Sequence, residues 1–396
     1  MGRESGETLA ALVIAAGVIV GLLQASAPAR LHGREPTAVQ AEPPDSGHVG
    51  GPTSTAGGAL AGAEPEEHAP GPAAVPRTWW LTILDVAEPS APVVVGRSAA
   101  LPGVQPRVAV AEGYAYVATR TDGLYTLDVR DPKQPAVLAA LATPRTTGDV
   151  AVSPPYAYVT AADRGLLVLD VADPARPAEV GAYRAKLYPS RVRVTAGHAY
   201  VGDSAGTLHV VDLSDPARPA RIGAYQMTGP ALDFEVVGDR GYAVAGLDEQ
   251  RGSLHVIDLH DPTQPREVGV SSLAPFADGV AVYGEYAYVV SSEAGLRVIE
   301  MADPAHPDVV ERRAGPDGGQ RVAIAGQDAY VAADGCGLRV LDLAEPAHPV
   351  EVAIHPGRIH DVRVLGRYAY VVASEPRVPA PCGALEDRRL GGGAND

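Results

Sequence analysis

The chain has 396 residues, 44 of them Gly and 36 Pro, and a formal charge of −16. That length allows a large core, and an acidic balance with no basic stripe to offset it argues against a nucleic-acid partner. Two cysteines, Cys336 and Cys382, are too few for a Cys-based structural zinc cluster and permit at most one internal disulfide.

The N-terminus carries Arg3 and Glu4, then an apolar run over 9–23, then Ala25-Ser26-Ala27-Pro28-Ala29. Residues 1–29 therefore read as a secretory signal peptide or an N-terminal anchor, with small-x-small cleavage candidates at Ala25/Ala27 and Ala27/Ala29. The run is shorter than the roughly 20 residues of a membrane-spanning helix, so any membrane contact there is a tether. A buried helix is the alternative reading. Residues 30–78 are Ala, Pro, Gly and acidic residues without an apolar period, which predicts a disordered linker because such a chain cannot bury enough surface to offset its ordering entropy. His32, His48 and His68 lie too far apart in it to form a metal tract.

From Trp79 a repeat takes over. A strand-and-turn element, clearest at 165–177, places an acidic residue at Asp85, Asp128, Asp170, Asp212, Asp258, Glu300 and Asp342, at steps of 43, 42, 42, 46, 42 and 42 residues. A second element, Ala-Tyr-Val, recurs in register at Tyr116, Tyr158, Tyr200, Tyr242, Tyr288, Tyr330 and Tyr370, each preceded by Ala or Gly. One unit shows the plan, with strands expected at 149–152, 156–160, 166–171 and 179–183. Four short β-rich runs per repeat of about 42 residues, cut by Asp-Pro, Asp-Gly and Pro-Pro, predict an all-β propeller of four-stranded antiparallel blades rather than a helical solenoid.

The two ends complete each other. The chain begins with third and fourth strands only (81–86 and 93–96) and finishes with first and second strands only (361–365 and 368–372), so together they make one composite blade. Six complete blades plus this one give a seven-bladed propeller over 79–375 with no exposed sheet edge at the closure. Residues 376–396 are left as a C-terminal tail. An open or six-bladed form, in which 382–390 supplies a degenerate third strand, is the rival.

The third strands read Leu-Leu-Val-Leu-Asp (166–170), Leu-His-Val-Val-Asp (208–212), Leu-His-Val-Ile-Asp (254–258), Leu-Arg-Val-Ile-Glu (296–300) and Leu-Arg-Val-Leu-Asp (338–342). These resemble the LVIVD-repeat proteins. The resemblance implies a β-propeller in an exported or cell-surface protein of bacteria or archaea, and it supplies no catalytic residues.

Local motifs yield to the repeat. Gly202-Asp203-Ser204-Ala205-Gly206 matches a nucleophile elbow, but that motif needs a helix after its strand, and here another strand follows. The Asp-Pro-x-x-Pro elements at Asp131, Asp173, Asp215, Asp261 and Asp303 offer one carboxylate each, which suits an Asx turn better than calcium. His209 and His255 share a strand slot with Arg297 and Arg339 and are expected to face solvent. Neither a metal site nor a cofactor is expected. Cys336 and Cys382 fall on one face of neighbouring blades and are paired as a candidate disulfide, with two free thiols as the alternative.

Ligand binding is expected at the mouth of the central channel, where loops between fourth and first strands meet those between second and third strands. Residues entering the first strands are Arg107, Asp149, Arg191, Asp233, Asp278, Gln320, His360 and Asp361. Their carboxylates are read as the solvated rim of the channel, with a cation or a basic segment as the alternative occupant. The fourth-to-first loops at 143–147, 226–230, 314–319 and 355–358 differ between repeats, and variation on a repeated scaffold is where recognition sits. The expected function is a non-enzymatic, exported scaffold whose loop face binds a protein or polymer. The competing expectation is a propeller hydrolase or lyase that draws an acid–base pair from the rim carboxylates and His360.

Overall fold

The structure, a computed structural model, describes residues 78–143, 147–184, 189–248, 251–273, 277–314, 319–333, 335–374 and 386–387. The expected signal segment, the linker up to residue 77 and most of the C-terminal tail lie outside the described residues.

Seven antiparallel sheets form a propeller ring, and no described residue is helical. The expected unit at 149–183 is observed as strands Thr147–Ser153, Tyr156–Ala161, Gly165–Asp170 and Ala178–Tyr183, ordered from the channel outward. The composite blade closes the ring. Its strand Thr78–Asp85 pairs antiparallel with Tyr368–Ser374 from Trp79 opposite Ser374 to Asp85 opposite Tyr368, and Arg358–Leu365 and Val93–Arg97 complete the sheet. The rival third strand near 382–390 is not used there. Glu386–Asp387 instead pairs with Arg313 and Ala314, on the outer edge of the fifth complete blade, because Thr78–Asp85 already occupies the third position of the composite blade.

Packing between blades explains the Ala-Tyr-Val repeat. All seven tyrosines are buried, from Tyr288 at 0% to Tyr242 at 8% exposure, and each lies in a hydrophobic cluster that joins its own blade to the next. Tyr158 packs with Val192 and Ala199 of the following blade, Tyr288 with Val322 and Ala329, and Tyr370 with Val108 and Ala115. The small residue before each tyrosine gives the preceding ring room to lie flat against the sheet.

The acidic repeats do turn work. The residue that ends a third strand accepts from the amide two positions on, as Asp170 does from Ala172 at 2.8 Å and Asp212 from Ser214 at 2.9 Å. The Asp of Asp-Pro repeats this: Asp131 accepts from Lys133, Asp173 from Ala175 and Asp215 from Ala217, each at 3.0 Å. These are Asx turns, in which the carboxylate rather than another strand takes up a turn amide. Each turn docks on the preceding blade. The outer strand there bulges at one conserved place in the sheet, for example between Val168 and Leu169, and the residue beside the bulge meets the next turn's proline carbonyl.

At Gly181 that approach leaves no space, since a Cβ would sit 2.2 Å from the Pro216 carbonyl oxygen. Gly181→Ala is therefore expected to destabilise the propeller by about 1–3 kcal/mol through overpacking alone. Urea unfolding, with an unchanged m-value, checks this.

Candidate functional site

The first strands of all seven blades line the central channel, and a single slot on them, nine residues before each repeated tyrosine, holds Arg107, Asp149, Arg191, Asp233, Gly279, Arg321 and Asp361. Charge alternates around the ring. An odd-membered ring cannot alternate throughout, and the pattern breaks at Gly279. Asp278, expected in this ring, stands one residue before the slot and turns away: its carboxylate accepts from Ser292 N at 2.9 Å in the turn of its own blade.

The carboxylates of this ring are not a solvated rim, as expected from sequence, but buried staples. Asp149, Asp233 and Asp361 are 2%, 1% and 0% exposed. Each reaches the first strand of the next blade: Asp361 Oδ2 accepts from Val108 N at 3.0 Å, Asp149 Oδ2 from Val192 N at 3.2 Å, and Asp233 Oδ2 from Val280 N at 3.3 Å. Arginines neutralise them. Arg193 donates from Nη1 to Asp149 Oδ2 at 3.3 Å and from Nη2 to Asp233 Oδ1 at 3.1 Å, while Arg191 Nε lies 3.5 Å from Asp233 Oδ1. Arg107 donates to the His360 carbonyl at 2.9 Å, and Arg321 to the carbonyls of Asp278 and Gln320. Burial, with the nearby Arg321 charge adding to it, pulls Arg107 down to about 10, although Asp361, Asp149 and Asp233 oppose the shift. Burial pushes Asp233 up to about 6 against the pull of Arg193.

This layer of charge fills one end of the channel. Beyond it lies a cavity of about 380 Å³, bounded by the later halves of the first strands and including Val152, Val194, Val237, Val282, Ile324 and Leu365. It is therefore entered from the face of the first-to-second turns, opposite the loop face where a ligand was expected. Arg193, Glu235 and Arg363 form its polar lining. The sequence reading missed Arg193, Glu235, Arg321 and Arg363. Their signal was available, because Arg193, Glu235 and Arg363 all stand seven residues before a repeated tyrosine, where other blades carry Ala.

Other sequence candidates separate. His360 lies in a recess of about 110 Å³ with Gln320, Arg358 and Ser374, and its Nε2 is 2.9 Å from Ser374 Oγ. His209, His255 and Arg339 do not face solvent; they are 5%, 3% and 0% exposed. Partners from the sequence surroundings make that burial tolerable: Asp203 lies 2.8 Å from His209 Nε2, Glu267 2.9 Å from His255 Nδ1, and Glu351 2.7 Å from Arg339 Nη1. The hydroxyls of Tyr183 and Tyr225, from the preceding blades, stand 3.2 Å from the Nδ1 atoms of His209 and His255. Ser204 sits exposed in a hairpin turn between strands His198–Asp203 and Thr207–Asp212. Cys336 is buried and disulfide-bonded, while Cys382 lies outside the described residues.

The LVIVD-repeat profile matches seven segments, 79–99, 102–143, 144–185, 188–227, 276–313, 318–355 and 356–375, which together cover more than half of the chain. The chain belongs to the LVIVD-repeat family. The first and last segments are the two parts of the composite blade. Residues 228–275, the fourth complete blade, lie outside the matched segments, and it is here that an insertion lengthens the second-to-third hairpin to strands Arg240–Asp248 and Arg251–Asp258. The blade keeps its four strands despite that divergence.

No curated protein matches this LVIVD-repeat chain. Among solved structures, a functionally unknown protein from Desulfotomaculum acetoxidans is similar in fold, with a TM-score of 0.58 at 10% identity over 75% of this chain and 99% of that one. The computationally designed Ika8 protein is similar with a TM-score of 0.52 at 9% identity over 67% of this chain and 80% of its own. At such identities the likeness concerns the fold alone.

Asp361→Ala leaves Val108 N buried without an acceptor at the closure, so denaturant unfolding should show a loss of about 1–3 kcal/mol, with Asp361→Asn retaining more stability. Asp233 holds its proton in the folded state at pH values where an unfolded carboxyl has lost it, so its contribution falls as pH rises from about 4 through about 6. The stability of the wild type relative to Asp233→Asn should decline across that window, measured by urea unfolding at several pH values. A pH-independent difference would contradict the raised carboxyl.

Proposed function

We propose that this LVIVD-repeat propeller is a non-enzymatic, exported or cell-surface scaffold that presents its loop face to a protein or polymer partner. The observation that supports this reading is the state of the acids an enzyme would use. Asp149, Asp233 and Asp361 are at most 2% exposed, and backbone amides and arginines occupy their oxygens. Asp233 has the raised carboxyl of a candidate general acid, which is the observation behind the competing hydrolase or lyase reading, but at 1% exposure it is sealed from substrate. The loop face carries instead a set of exposed side chains on second-to-third turns, among them Arg120, Asp163, Ser204 and Glu293, that differ from blade to blade. Residues 30–77 would serve as spacer, Thr78 belonging already to the first strand, and the apolar run at 9–23 as export signal or membrane tether.

Immobilised full-length chain is expected to retain a component of a cell-envelope extract, and the Asp163→Lys, Glu293→Lys double variant to weaken that retention by roughly tenfold, as charge reversal at a rim does. Its thermal unfolding should be unchanged. Turnover of ester or glycoside substrates that Asp233→Asn abolishes, with retention intact, would replace the scaffold by the enzyme.

A further inference from the structure

The blind cavity on the opposite face is a different site from the proposed loop surface, and its chemistry can be read from three side chains. Its walls carry aliphatic side chains beside backbone and charged groups, its volume of about 380 Å³ lies within the roughly 300–1,000 Å³ range of small-molecule sites, and the buried charge ring lies next to it along the first strands. Val237 and Leu365 stand at its mouth 48% and 49% exposed, which leaves apolar surface in water where a ligand could cover it.

The polar lining is not symmetric in charge. Arg193 is saturated: Asp149, Asp233 and the Val192 carbonyl take its Nη donors, Glu235 lies 3.7 Å from its Nε, and its guanidinium carbon lies 5.7 Å from the Phe234 ring centroid. Arg363 is not. Its Nη1 donates to the Val362 carbonyl at 2.9 Å and to Asp361 Oδ1 at 3.4 Å, while its Nε and Nη2 donate to no acceptor among the described residues. The Arg363 side chain is 26% exposed and lines the cavity, so a cationic fork with open donors sits among aliphatic side chains of its wall. A guanidinium edge of this kind suits a planar carboxylate held through two parallel bonds. Glu235, with its side chain 35% exposed on the same lining, adds one negative charge and so favours a monoanion over a dianion.

We infer that the cup binds a small amphiphilic carboxylate, with the carboxylate on Arg363 and the hydrocarbon against the valine, isoleucine and leucine walls. The apolar body selects ligand length and the open guanidinium selects the head group. Arg193 acts as a positioning residue, since it holds Asp233 and Glu235 in place and thereby sets the charge that Arg363 presents.

Calorimetric titration of the full chain with octanoate, octanol, acetate and octyl phosphate tests this. Octanoate should bind saturably with a one-to-one stoichiometry, and octanol and acetate each at least about tenfold more weakly, the loss expected when a charge-assisted bond or the apolar contact is missing. Octyl phosphate should also be the weaker ligand. Arg363→Gln should cut octanoate affinity by about tenfold or more while leaving octanol little changed. Val282→Glu, which leaves every arginine in place and puts a like charge on the wall, should abolish octanoate binding, with circular dichroism confirming that the variant is folded. The inference is overturned if no probe binds saturably, if octanol or octyl phosphate binds as tightly as octanoate, or if folded Val282→Glu still binds octanoate. Retention of an envelope component on the loop face is read separately, so either proposal can fail without the other.

Discussion

Everything in this propeller depends on one contact made seven times: the ring of a second-strand tyrosine laid on the face of the next blade beside a residue no larger than alanine. Tyr288 with Val322 and Ala329 is the pattern, and Tyr370 with Val108 and Ala115 carries it across the closure. A blade alone is a sheet with two apolar faces and nothing to cover them. Stacking covers both faces of every blade only if the stack returns on itself, which is why the chain ends must share a sheet and why Trp79 pairs opposite Ser374.

Closing a stack into a ring brings the first strands together at the axis, and that creates a problem the blades do not solve individually. Backbone amides such as Val108 N, Val192 N and Val280 N point across blade boundaries where no strand partner exists. The buried aspartates accept from them, and buried aspartates in turn require cations, which Arg193, Arg191 and Arg107 supply. The ring of alternating charge is thus a consequence of closure. With seven positions one must stand outside the alternation, and at Gly279 there is little room for a side chain, since a Cβ would lie 3.0 Å from the Gln320 carbonyl oxygen. The same charge layer seals one end of the channel and leaves the other as an open cup.

Legibility followed from whether a residue acts through its own neighbours in sequence. The Asx turns at Asp131 and Asp173 involve only the next two residues, so their role was evident from Asp-Pro spacing. The tyrosines repeat at a fixed step, and the step alone revealed the blade. His209 and Arg339 share a strand slot with each other and look like any surface charge, yet they are buried against Asp203 and Glu351 of their own blades, and His209 also meets Tyr183 of the preceding one, which a shared slot does not reveal. The rim carboxylates are visible in sequence but their burial is not, because the arginines that pair with Asp149 and Asp233 come from another blade.

Sequence by itself determined the number of blades, the strand order within each, the composite closure and the residues that make the turns, since all of these are periodic properties of one chain segment after another. Only the tertiary structure decided which end of the channel is closed and which is open, and which charges are buried in pairs. Those outcomes depend on side chains that meet between neighbouring blades, such as Arg193 with Asp149 on one side and Asp233 on the other, at distances of 3.3 Å and 3.1 Å that no linear spacing encodes.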